Sequence, residues 1–275
     1  MSGHNGNGNG NVRLGGVNIK KLFQDAEDEG KLSPASLLAL NVVDLGAQIQ
    51  AGLGASVDDV QSSEVVLLTI MPDDSGSIAY GNNAEAVRNG HNLVLSALID
   101  SKQRDSILAH NRYLNGHVLY PYCPIAKATK MDTSNYDPSL ATPLYDQTVV
   151  LLGTVIAKAQ EFANNGVAAR TVTLIITDGA DAGSQWAKAK DVKALVRDMN
   201  QSECHIVAAM GIDDGTTAFR DVFRSMGIED RWILTPGKDA ADIRKAFLLF
   251  SQSAVRASQG GASFSRAAAG GFGGP

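Results

Sequence analysis

The sequence predicts an α/β fold: a mainly parallel central sheet with one antiparallel edge strand, and helices on both faces. Three observations carry this. The continuous apolar runs EVVLLTIM (64–71), RTVTLIIT (170–177) and CHIVAAMGI (204–212) read as strands covered on both sides, as in a parallel sheet. Segments with helical spacing separate them, and strands alternating with such helices build parallel crossover units. Asn115-Gly116 stands between two short strand-like runs, Ser106–Leu114 and His117–Tyr122, a strong hairpin signal that supplies the antiparallel edge.

Taken in order, residues 1–16 are a glycine and asparagine-rich stretch that reads as a flexible arm. Residues 17–60 read as a peripheral helical extension. Ser33-Pro34 is a good helix start, and Leu37, Leu38, Leu40, Val42, Val43, Leu45 and Ile49 follow as one run that is apolar on more than one side. Such a helix must pack, either on its own domain or on a second copy, which makes it the expected homo-oligomer contact. Residues 62–257 form the main domain. Its helices are predicted over 84–100, 143–162, 186–199, 218–226 and, as the last, 239–255, with a short strand at 231–235. Residues 258–275 are a Gly/Ala-rich tail with few anchors, although Phe264 and Phe272 offer points of docking.

Composition narrows the functional classes. Hydrophobic residues make up 44% and charged residues 19%, an ordinary globular balance, and the formal net charge is −5. That charge argues against general nucleic-acid or anionic-membrane binding. No apolar run approaches the roughly 20 residues that span a bilayer. The N-terminus has neither the charged nor the apolar region of a signal peptide. Cys123 and Cys204 lie far apart with no CxxC, so they read as buried free thiols in a reducing, cytoplasmic setting.

In open parallel sheets, ligands bind beyond the carboxyl ends of the strands. Asp73, Ser75 and Ser77 follow the first apolar run. Asp178 follows the second, Asp213 and Asp214 follow the third, and Thr142 precedes the long helix. Singly, each has a structural reading: a helix cap at Asp73–Ser77 or at Thr142, a turn at Asp178-Gly179. As a group they place hydroxyls and carboxylates at one end of one sheet with no basic residue in the strand-tip loops. Close carboxylates repel, so a cation is their natural partner. Oxygen donors with few carboxylates suit Mg²⁺ or Mn²⁺ better than Ca²⁺, and the five histidines show no zinc spacing.

Asp73-x-Ser75-x-Ser77, then TPLYD from Thr142, then TLIITDG ending at Asp178-Gly179 resembles the metal-ion-dependent adhesion site of von Willebrand factor type A (VWA) domains. The resemblance covers about residues 62–257 and implies a Rossmann-like VWA fold. It also implies roles. Ser75, Ser77 and Thr142 would touch the metal through their hydroxyls, and Asp73 and Asp178 would hold it directly or through water. One position would stay open for an Asp or Glu of a partner, aided by the N-terminus of a helix after Ser77. Two positions depart from the family pattern: Pro72 stands where an apolar residue is usual, and Ala141 where glycine is.

The leading expectation is a metal-dependent protein-interaction module in a multiprotein assembly, not an enzyme. One alternative is a structural subunit of an oligomeric or filamentous assembly with a stabilising metal site. A metal-dependent phosphoesterase ranks lowest. An aspartyl-nucleophile phosphatase needs a second carboxylate two residues after the first, where this chain has Ser75. There is no G-x-S-x-G, P-loop or G-x-G-x-x-G either.

Overall fold

The computed structural model describes residues 17–41, 45–80 and 82–273. The predicted arm, and Val42 and Val43, lie outside them. The strands are β1 (Glu64–Met71), β2 (Ile107–Arg112), β3 (Val118–Pro124), β4 (Ala168–Thr177), β5 (His205–Gly211) and β6 (Ile233–Leu234). They form one sheet in the order β3-β2-β1-β4-β5-β6, parallel except for the β2–β3 pair. β1 is central and buried from Val65 to Met71, as its unbroken apolar run requires. Its register pairs Met71 with Ile175, so the chain leaves β1 and β4 at the same level. That coincidence brings Asp73 and Asp178 together.

Helices α4 (Asn83–Ile99), α5 (Leu144–Asn164), α6 (Ala189–Gln201), α7 (Phe219–Ser225) and α8 (Ala240–Ser258) connect and cover the strands. Right-handed crossovers run in opposite directions from β1, which puts α4 on one face and α5 with α6 on the other. The β2–β3 connection is a hairpin, but its loop has three residues, Leu114–Gly116, closed by Tyr113 N–H to His117 O at 2.8 Å. Gly116 takes the left-handed position, φ 89°, that closes such a loop.

The N-terminal segment shares the main core. α1 (Ile19–Asp28) and α3 (Leu45–Leu53) pack on α5, and α2 (Pro34–Leu40) packs on α6 and α5. Leu22, Phe23, Leu45, Ile49 and Leu53 are buried in the same cluster as the sheet residues. This explains why α5 is apolar all round: the sheet covers one side and α1–α3 the other. Gly153 permits the close approach, since a Cβ there would sit 2.8 Å from Leu40 and 2.9 Å from Ile49. The predicted single helix from Leu37 to Ile49 is two helices, α2 and α3, with a break after Leu40. After α3 the chain crosses the sheet edge, where Ala55 N–H donates to Tyr122 O of β3 at 2.7 Å.

The C-terminal stretch is not an unanchored tail. It forms a further helix, α9 (Gly261–Gly270), so α8 is not the last. Phe264 is buried, with the Arg170 guanidinium 5.7 Å from its ring centre. Phe272 meets Trp232 edge-on at 5.1 Å. Burial of Phe264 and packing of Phe272 override the weak helix propensity of a glycine-rich stretch. Among the described residues no single helix is long and apolar enough to cross a membrane.

Candidate metal centre

Asp73 is fully buried just beyond β1. Its Oδ1 accepts Ser75 N–H at 2.7 Å, and its Oδ2 accepts the Thr177 hydroxyl at 2.7 Å and Asp178 N–H at 3.4 Å. Ser75 and Ser77 Oγ lie 3.0 Å apart, and Ser77 donates to Asp178 Oδ1 at 2.7 Å. Asp73, Ser75, Ser77 and Asp178 are thus one connected set. Ser77 is its solvent-exposed member, while Ser75 and Asp178 are buried.

Thr142 is brought alongside by its backbone. Gly76 N–H donates to Leu140 O at 3.0 Å, and Ser75 and Leu140 form a parallel bridge. On the other side, Ala182 N–H donates to Thr142 O at 2.9 Å. The Thr142 segment therefore runs between the β1 tip and the loop after β4. Among the described residues, the Thr142 hydroxyl makes no hydrogen bond to another side chain of the set.

Thr142 is not the helix cap. α5 begins at Leu144, with Pro143 at the cap position and no cap from a local side chain. Its first amides are satisfied from a distant loop: Ser184 Oγ accepts Tyr145 N–H and Asp146 N–H, both at 3.0 Å, and Asp181 accepts Tyr145 N–H at 3.2 Å. Asp146 returns the contact, accepting the amides of Gln185, Trp186 and Ala187 at 2.7, 3.2 and 2.7 Å. Sequence reasoning missed Asp146, Asp181 and Ser184, because this reciprocal capping joins segments that only the fold makes adjacent. The helix expected over 84–100 is α4, which starts at Asn83, and a single 3₁₀ turn, Gly76–Ala79, stands between it and the β1 tip.

The electrostatics are those of an under-neutralised site. Burial pushes the Asp73 carboxyl above its ordinary range, against the hydrogen bonds from Ser75 and Thr177. Burial, then the charges of Asp73 and Asp214, push Asp178 up to about 6 despite its bond from Ser77. Among the described residues no Lys or Arg contributes to either shift. Asp74 is also pushed up by burial and accepts from Asn115. Among the described residues no three His, Cys, Asp or Glu side chains cluster as metal ligands; the candidate donors named from the sequence are two carboxylates with hydroxyls. That set fits a hard, largely hydrated cation such as Mg²⁺ or Mn²⁺.

Pro72 is buried and ends the strand without harm, its carbonyl accepting Leu114 N–H at 3.0 Å. The two cysteines are unpaired and only half-buried.

No protein-family model matches the sequence, and no curated protein does. Solved structures do resemble the fold. The pilus adhesin SpaC from Lactobacillus rhamnosus GG, in its open conformation, is similar over 72% of this chain at a TM-score of 0.52 and 14% identity. This chain spans 31% of that adhesin's length. The SpRpn10 VWA domain is similar over 67% of this chain and 94% of its own, at a TM-score of 0.47 and 10% identity. Manganese-loaded TRAP protein of Plasmodium vivax is similar over 68% and 74%, at 0.44 and 20%. With β1 central, one antiparallel edge strand and helices on both faces of the sheet, this chain has a Rossmann-like α/β fold that resembles the SpaC adhesin over the matched length.

Proposed function

We propose that this protein is a metal-dependent protein-interaction module. Mg²⁺ or Mn²⁺ is held by Ser75, Ser77 and Thr142 through hydroxyls and by Asp73 and Asp178 directly or through water. A partner's Asp or Glu completes the coordination. One observation carries this reading: two buried carboxylates from the tips of different strands are joined through Ser75 and Ser77, and among the described residues no basic group neutralises them. A cation there would relieve the repulsion and remain under-neutralised toward solvent, where Ser77 is exposed. The bound ion supplies a Lewis-acidic centre that takes an anionic oxygen.

Among the described residues, two of the four large exposed hydrophobics stand beside this face: Tyr80 (79% exposed), whose N–H donates to Ser77 O, and Leu140 (55% exposed), paired with the β1 tip. They suit a partner whose acidic residue has apolar neighbours. The unpaired cysteines suit a cytoplasmic setting. Leu38, 76% exposed on α2, is the point at which a second copy would meet the N-terminal helices.

The test is calorimetric titration of Mg²⁺, and of Mn²⁺ read by electron paramagnetic resonance, into wild type and Ser77→Ala. One saturable ion per chain, weakened in the variant, is the expected result. Equal binding by both proteins, or none by wild type, overturns the reading.

A further inference from the structure

Asn115 sits at the second position of the β2–β3 hairpin loop, outside the proposed ligand set, yet it touches both segments that carry that set. Its backbone N–H donates to Asp74 Oδ1 at 3.0 Å, and its side-chain Nδ2 donates to the same oxygen at 2.8 Å. The same Nδ2 donates to Ala141 O at 2.8 Å. Asp74 follows Asp73 directly, and Ala141 precedes Thr142 directly. Asp74 is 5% exposed, and among the described residues Asn115 supplies both of the donors to its carboxylate from other elements. Neighbouring bonds run the same way: Leu114 N–H to Pro72 O, Ser139 and Leu140 N–H to Asp74 O, and Tyr136 hydroxyl to Asp73 O.

We propose that Asn115 is a positioning residue for the metal centre, tying the β1 tip to the Thr142 segment so that Thr142 is held at the site before a cation arrives. This rests on the metal reading above. The physical reason is that the Thr142 hydroxyl has no hydrogen bond to the other donors, so its placement depends on its backbone. Among the described residues the Asn115 amide is the one side-chain donor that reaches both that backbone and the β1 tip. Orienting groups behind metal ligands carry much of a site's affinity. Asn is suited to the task because one NH₂ group carries two donors.

The experiment uses the full chain as wild type, Asn115→Ala, Thr142→Ala and the double variant. Mg²⁺ affinity is measured by calorimetry, and amide hydrogen exchange at Thr142 and Leu144 in Mg²⁺-free buffer. Asn115→Ala is expected to weaken Mg²⁺ about 10-fold, the low end for such orienting groups. It should also speed exchange at Thr142 and Leu144, and the lost donor to the buried Asp74 should lower the thermal midpoint modestly. In the Thr142→Ala background the same change should cost little further, because its route to the ion is gone. Asn115→Ser, which keeps the backbone donor to Asp74 and cannot reach Ala141, should lie with Asn115→Ala, and it serves if alanine impairs folding. If wild type binds and Asn115→Ala binds equally tightly, or if the two losses simply add, the positioning role is wrong while the metal reading stands. If wild type binds neither Mg²⁺ nor Mn²⁺, both fall together.

Discussion

Two strand tips of this protein read almost alike, DDSGS after β1 and DDGTT after β5, and the fold treats them oppositely. At the β5 tip the loop satisfies itself. Asp214 accepts the amides of Thr216 and Thr217 at 2.8 and 2.6 Å and their hydroxyls at 2.9 and 2.6 Å. Slight burial pushes its carboxyl up, but these four bonds outweigh it and hold the group at about 2. At the β1 tip, Asp73 is buried and bonded across to β4, and Asp178 is driven up to about 6. The difference is whether the donors are local. A carboxylate wrapped by its own turn has no need of a cation, whereas carboxylates drawn together from separate strands do.

The largest expected effect breaks the symmetry outright. Asp73→Ala should abolish Mg²⁺ binding, because it removes half the formal charge of the donor set, while Asp214→Ala should leave it intact and only loosen the β5 loop. Calorimetry on both variants decides this. Equal binding by wild type and Asp73→Ala would erase the contrast.

The pH responses should also run in opposite directions. Asp178 binds its proton more tightly folded, about 6 against the ordinary 3.8, so its contribution to stability is full at low pH and lost as pH rises through about 6. In Mg²⁺-free buffer the thermal midpoint should therefore rise as pH falls from about 7 toward 5, and Asp178→Asn should flatten that rise. Mg²⁺ affinity should fall over the same interval, since protons compete for the carboxylate. Asp214, held near 2, contributes stability above its ordinary 3.8 that is lost as pH falls from about 4 to 2. Thermal melts across pH, with Asp214→Asn beside Asp178→Asn, separate the two.

The smallest expected effects separate ligand from cap. Thr142→Ala should weaken Mg²⁺ binding several-fold with little change in melting, because Ser184 and Asp181 cap α5 in its place. Ser184→Ala should do the reverse, costing about 0.5–2 kcal/mol of stability with little direct effect on the ion. Paired melts and titrations check both. A Thr142→Ala protein that melts lower but binds Mg²⁺ normally would reverse the assignment.

The strands were legible because β1, β4 and β5 are buried on both faces, so burial wrote itself as unbroken apolar runs. Asp73, Ser75, Ser77 and Asp178 were legible because each sits within a few residues of a strand end. What was not legible depends on residues far apart in the chain. Thr142 before Pro143 looks like a cap only until Ser184 arrives from the loop after β4. The Gly/Ala-rich C-terminus looks unanchored only until Phe264 and Phe272 find Arg170 and Trp232. The break between α2 and α3 lies inside an apolar run that periodicity could not divide.

The crossing after α3 has a practical consequence. β3 is the outermost strand on its side, and Gly54, in a left-handed conformation with φ 54°, lies so close to Tyr122 that a Cβ there would fall 2.2 Å from the Tyr122 carbonyl oxygen. With Ala55 bonded to that same carbonyl, the N-terminal segment acts as a selvedge, the finished border that keeps a woven sheet from unravelling into its neighbours. A fragment trimmed to begin at residue 62 would retain every proposed metal donor and lose this border. It would present both a bare strand and the outer side of α5 to other molecules. Its fate in solution would be self-association, so the smallest unit worth expressing begins before α1.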